Sequence, residues 1–157
     1  MIYIDMDGCL ARWNQNASVQ ETHAPGYFLS REPENVLFSL VQRLVNSSYE
    51  IAVLSSVYPD GTAALDKERW LRAQGLSNIP RIFVPYGKDK HLYVKKDPSN
   101  ILIDDYSENL RSWEKAGYRG IKFYNGINGT HGTWKGCSIR HDMSPEQMFR
   151  IVTSAEP

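Results

Sequence analysis

Five short apolar runs, separated by stretches of helical periodicity, limit this chain's fold more than any other feature. Ile2 to Met6 (broken by Asp5), Ile51 to Leu54, Arg81 to Val84, Ile101 to Ile103 and Gly120 to Tyr124 are too short for helices and rich in β-formers. Between the first two, Leu37, Leu40, Val41 and Leu44 recur at helical spacing, with Asn35 read as the N-cap. Residues 63–74 read as a second helix stopped by Gly75. Residues 109–116 read as a third, with Leu110 and Trp113 inward and Gly117 at its end. A last helix opens at Ser144, where Ser-Pro-Glu-Gln supplies a capping box with proline at the first helical position. Residues 12–35 are polar and irregular, and residues 125–136, rich in Gly, Asn and Thr, read as loop. Strands alternating with helices predict a three-layer α/β fold with a parallel sheet of about five strands, and the 157 residues fit one domain.

That fold says where to look for chemistry. In open parallel sheets, ligands bind beyond the C-terminal ends of the strands. The first run ends in Asp5 and Asp7, the second in Ser55 and Ser56, and the fourth in Asp104 and Asp105. Singly, each has an ordinary explanation: an acid in a turn, a serine closing a strand, a solvated Lys90 in Gly87-Lys88-Asp89-Lys90. Together, four acids at one sheet edge repel one another unless a cation intervenes. Magnesium suits such a site, because it takes oxygen ligands and needs only one or two carboxylates.

Other chemistries find little footing. The four histidines and two cysteines show no zinc spacing, and neither a Gly-x-Ser-x-Gly elbow nor a Walker loop occurs. Lys plus Arg and Asp plus Glu balance at 18 each, so net charge steers the chain to neither nucleic acid nor anionic lipid. No apolar run is long enough to span a bilayer. The start at Met1 lacks the basic and apolar regions of a signal peptide. Cys9 and Cys137 are too few for a disulfide framework, and we expect free thiols in a cytoplasmic protein.

Ile4-Asp5-Met6-Asp7-Gly8-Cys9-Leu10 resembles the first motif of the haloacid dehalogenase (HAD) superfamily of phosphatases. Ser55, Lys90 and Asp104-Asp105 resemble its second, third and fourth motifs. Within the superfamily the chain is similar to the cytosolic 5′(3′)-deoxyribonucleotidases, through Ala24 to Leu29, Lys67 to Trp70, Lys88 to Lys90 and Ile101 to Asp105. The likeness covers residues 1–115.

The resemblance implies a HAD-like Rossmannoid fold and a magnesium-dependent phosphate monoester hydrolase, with a 5′-nucleotidase as one form. Asp5 would be the nucleophile and Asp7 the general acid and base. Ser55, Ser56 and Lys90 would bind the substrate phosphate. Asp5, Asp7 (through its carbonyl) and Asp105, with Asp104 beside it, would hold Mg2+. The substrate would be a small phosphorylated molecule, and a homo-oligomer stays open. The chain departs from the family in its cap, since only Trp13 to His23 fill the interval where those nucleotidases carry a helical bundle. Base specificity therefore does not carry over, although Tyr27 and Phe28 are candidates to stack a base. The rivals are a phosphatase for a larger substrate, such as a nucleic-acid end or a phosphoprotein, and a catalytically idle module that binds a phosphorylated ligand.

Overall fold

The strands bury both faces. In the computed structural model, which describes residues 1–59, 61–127 and 134–154, β1 (Ile2–Ile4), β2 (Ile51–Val57), β3 (Arg81–Pro85), β4 (Ile101–Asp104), β5 (Arg119–Tyr124) and β6 (Ser138–Arg140) form one sheet. Its order is β3-β2-β1-β4-β5-β6, and every pairing is parallel. Alternate residues divide between two hydrophobic clusters. Ile2, Ile4, Ile51, Val53 and Ile103 join one; Tyr3, Ala52, Leu54 and Leu102 join the other. A strand buried on both sides needs helices on both sides.

The helices are α1 (Val19–Thr22), α2 (Asn35–Asn46), α3 (Ala63–Ala73), α4 (Ser107–Lys115) and α5 (Pro145–Thr153). Leu37, Leu40, Val41 and Leu44 of α2 enter the first cluster with Met148 and Val152 of α5. Leu110 and Trp113 of α4 enter the second. The α5 capping box forms as the sequence predicts: the Gln147 amide donates to Ser144 Oγ, and the Ser144 amide donates to Gln147 Oε1. Gly75 and Gly117 follow closely on the ends of α3 and α4.

Four expectations need correction. The sheet has six strands rather than about five, because β6, between the 125–136 loop and the last helix where no element is predicted, adds to β5. It is three residues long with one buried apolar residue, Ile139, too little for a periodic signal. The 12–35 insert is not wholly irregular: it holds α1, closed by a Ser18–Glu21 capping box, and a 3-10 turn at Phe28–Ser30. Asn35 is the first residue of α2, and Glu34 occupies the N-cap without a side-chain bond. Finally, β2 continues through Ser55 and Ser56 to Val57 instead of ending at Leu54. Residues 128–133, the middle of the 125–136 loop, lie outside the described residues. No described helix is long and apolar enough to cross a membrane.

Candidate active site

The sheet order decides which polar residues meet. β1 lies between β2 and β4, so Asp5 and Asp7 lie between the serines and the second acid pair. Past Ile4 the chain turns tightly: the Gly8 amide donates to the Ala11 carbonyl at 2.8 Å and the Ala11 amide to the Met6 carbonyl at 2.8 Å. Gly8 has φ +77°, and a Cβ there would fall inside the Asp105 carboxylate. Glycine thus serves twice, for the left-handed backbone and for the close approach of β4's end. Asn125 at the end of β5 closes the arrangement, donating to the Gly8 carbonyl at 2.8 Å and to Asp105 Oδ2 at 3.4 Å.

Two buried lysines balance the acids. Lys90, on a 3-10 turn at Lys90–Tyr93, donates to Asp5 Oδ1 at 2.6 Å and to Asp104 Oδ2 at 2.7 Å. Burial works against its ammonium, but Asp104 and Asp5 overcome that and raise its pKa. Lys67, fully buried on α3, pairs with Asp7 and donates to the Ser56 carbonyl at 2.6 Å and to Ser55 Oγ at 3.1 Å. Burial pushes the Asp7 carboxyl above its ordinary value; the Lys67 charge opposes the shift and Asp5 adds to it.

The serines and the acid pair of β4 divide their positions. Ser55 is fully buried behind Lys67, whereas Ser56 faces a 580 Å³ cavity shared with Asp5, Asp7, Lys90 and Asp105. Asp104 is fully buried and held by Lys90, by Asn109 Nδ2 at 2.9 Å and by the Tyr106 amide at 2.8 Å. Burial raises its pKa, against the pull of Lys90.

The donor set fits a hard divalent cation. Carboxylate oxygens of Asp5 and Asp105 lie within 4.8 Å of each other and of the Cys9 sulfur. Burial, together with Asp105 and Asp5, pushes the Cys9 thiol well up, so it stays protonated and offers no charge to such a cation. The oxygens remain as donors, as magnesium prefers.

Several site residues were not singled out in the sequence. Lys67 shares the inward stripe Ala63, Asp66, Lys67, Trp70 and Leu71. A lysine in such a stripe is its own signal, because few lysines are fully buried unless paired. Lys122, in the buried run of β5, carries the same mark. Tyr27 and Phe28 do not line the cavity: Phe28 is buried beneath the Lys67 ammonium, 4.5 Å from its ring centroid, and Tyr27 packs edge-on against it. Trp13, Tyr86 and Tyr106 line the mouth instead, with Tyr86 and Tyr106 66% and 61% exposed. Tyr86 packs on Tyr58, which stacks on His23 with ring centroids 3.7 Å apart.

The paired charges should dominate local stability. Lys90→Met leaves two buried carboxylates without their cation, and removing one partner of a buried pair costs about 3–5 kcal/mol. Urea unfolding should show that loss at pH 8 and a smaller one at pH 5, where a carboxyl can take up a proton instead. A loss below about 1 kcal/mol at pH 8 would mean that Lys90 is not the counter-charge of Asp5 and Asp104.

No known protein-family signature matches this chain, and no curated protein matches it. A functional reading therefore stands on the geometry of the site.

Proposed function

We propose that this chain hydrolyses phosphate monoesters through an aspartyl-phosphate on Asp5, with magnesium as its cofactor. The supporting observation is one cavity, at the C-terminal edge of β1, that brings together Asp5, Asp7, Ser56, Lys90 and Asp105. Asp5 and Asp105 would hold the cation, with the Asp7 carbonyl, as the family resemblance implies. The bound cation would supply positive charge against the phosphoryl oxygens and the acids around them.

The chain's own residues divide the remaining work. Lys90 fixes the Asp5 carboxylate from one oxygen, leaving the other for attack on phosphorus. As the Asp5 oxygen bonds to phosphorus, the ester P–O bond breaks and the Asp7 proton passes to the leaving oxygen. The raised pKa of Asp7 suits this donation, since the carboxyl keeps its proton to higher pH than a free aspartic acid. A water then attacks the aspartyl-phosphate, Asp7 takes the water's proton, and inorganic phosphate leaves with Asp5 restored. Lys67 sets the position of Asp7, and Ser55 sets that of Lys67. Ser56 offers its hydroxyl to a phosphate oxygen, while Ser55, which the sequence likewise offers for that task, is buried against Lys67 and acts through it.

The exposed rings at the mouth favour a substrate with a flat group next to its phosphate, a nucleotide or a nucleic-acid end. Base–aromatic stacking contributes about 1–3 kcal/mol per base. Tyr86, which packs on Tyr58, offers one such ring.

The direct test is turnover of p-nitrophenyl phosphate with magnesium, with rapid quench to detect phosphoenzyme. Asp7→Asn should slow turnover of an alkyl phosphate by about 10²–10⁴-fold. Its kcat/KM for p-nitrophenyl phosphate, which reports phosphoryl transfer to Asp5 and not the later hydrolysis, should fall less than that for the alkyl phosphate, because nitrophenolate leaves without a proton. The alkaline limb of the wild-type kcat/KM profile for alkyl phosphates should also be lost, since activity falls as pH rises through the pKa of the proton donor. Equal losses for the two leaving groups would remove Asp7 from the donor role. An idle phospholigand-binding module would show binding and no turnover at all.

A further inference from the structure

A residue that touches neither the substrate space nor the nucleophile joins the two segments proposed above to hold the cation. One oxygen donor there, the Asp7 carbonyl, belongs to the turn after β1. Another, the Asp105 carboxylate, belongs to the end of β4. These segments are far apart in sequence, yet Gly8 and the Asp105 carboxylate pack so closely that no Cβ fits between them. Asn125, at the end of β5, reaches both. Its Nδ2 donates to the Gly8 carbonyl, one peptide beyond that of Asp7, at 2.8 Å, and meets Asp105 Oδ2 at the longer distance of 3.4 Å.

The Asn125 amide is held at both ends. Its Oδ1 accepts from the Ile127 amide at 2.9 Å, which fixes which end is the nitrogen. The nitrogen carries two protons, and with one on Gly8 the other is available to Asp105. Asn125 is 4% exposed and does not line the cavity, so it acts through its neighbours. The chemistry of the group matters too. The Asp104 carboxylate meets the ammonium of Lys90, which compensates its charge. The Asp105 carboxylate meets a neutral amide at Asn125, while Lys122 holds the same residue by its carbonyl at 2.6 Å. A neutral donor orients a carboxylate without cancelling its charge, and that charge stays available to a cation.

We infer that Asn125 is a positioning residue for the cation: it fixes Asp105 relative to the Asp7–Gly8 turn and so sets the magnesium affinity of the site. This rests on the proposed magnesium site and not on hydrolysis itself. Magnesium demands near-octahedral oxygen geometry at about 2.0–2.1 Å, so small displacements of one ligand segment against the other weaken binding. Partners that orient metal ligands contribute about 10- to 100-fold to metal affinity.

Calorimetric titration with Mg2+ tests it on the wild-type protein and on Asn125→Leu, which keeps the volume and removes both protons. The dissociation constant should rise about 10- to 100-fold. Asn125→Ser, which keeps one donor, should lose less. Turnover of p-nitrophenyl phosphate by Asn125→Leu should need correspondingly more magnesium, and excess magnesium should restore most of kcat. Asp105→Asn supplies the deciding background: if Asn125 acts through Asp105, adding Asn125→Leu there should weaken magnesium binding little further. Unchanged magnesium affinity in Asn125→Leu overturns the inference. So does a full additive loss in the Asp105→Asn background, or a fall in kcat that excess magnesium leaves in place. Urea unfolding checks that the variants are folded, and if Asn125→Leu is not, the same comparisons with Asn125→Ser decide. Magnesium binding reads the two proposals apart. A wild-type protein that binds no magnesium overturns both. Binding that depends on Asn125 without any turnover removes hydrolysis alone.

Discussion

Asp5→Asn should lower turnover of p-nitrophenyl phosphate by on the order of 10⁵-fold and leave no phosphoenzyme on rapid quench. The substitution removes one oxygen's charge and nucleophilicity while changing almost no volume. The surroundings should survive it: Lys90 keeps its bond to Asp104, and the Asp5 backbone amide keeps its bond to the Ile103 carbonyl at 2.9 Å. Urea unfolding of the variant should therefore lie close to the wild-type curve, which separates lost chemistry from lost fold. Near-normal turnover in a folded Asp5→Asn protein would end the covalent mechanism. A phosphoenzyme that persists in it would move the nucleophile elsewhere, and Asp7 would be the next carboxylate to examine.

Removing divalent cations with EDTA should reduce hydrolysis by about 10³–10⁴-fold, the equivalent of the several kcal/mol of transition-state charge stabilisation that a bound cation supplies. The acids explain the dependence. Without a cation, a phosphate dianion approaching Asp5 and Asp105 meets like charge at short range. Excess magnesium should restore the rate fully and should raise the unfolding temperature of the apo-protein by a few degrees, because a ligand that binds only the folded state stabilises it by mass action. Asp105→Asn should shift the magnesium needed for half-activity upward by at least about tenfold. Asp104→Asn should shift it less, since Asp104 is fully buried and engaged by Lys90, Asn109 and the Tyr106 amide. Undiminished turnover in metal-free buffer, or activity with zinc alone, would contradict the proposed cofactor.

The sequence by itself determined the α/β alternation and the edge of the sheet at which Asp5, Asp7, Ser56, Lys90 and Asp105 meet. These features are local. An apolar run of three or four residues, a helical period and a strand-ending acid are each written in a few consecutive positions, and parallel topology puts strand ends on one side. Capping at Ser144 was legible for the same reason. Strand β6 was not: it has three residues, and its pairing with β5 supplies what its composition lacks.

Only the tertiary structure decided how the site divides its tasks. Ser55 and Ser56 are adjacent in sequence, yet the pleat sends Ser55 into the interior against Lys67 and leaves Ser56 at the cavity. Asp104 and Asp105 are adjacent too, and the same alternation ties one to Lys90 and turns the other towards Asp5 and Cys9. Lys67 and Lys122 lie 60 and 117 positions from Asp7 and Asp5, so their place beside the acids follows from packing α3 and β5 onto the sheet. Charge pairing across such separations depends on which elements become neighbours, and no short window of sequence records that.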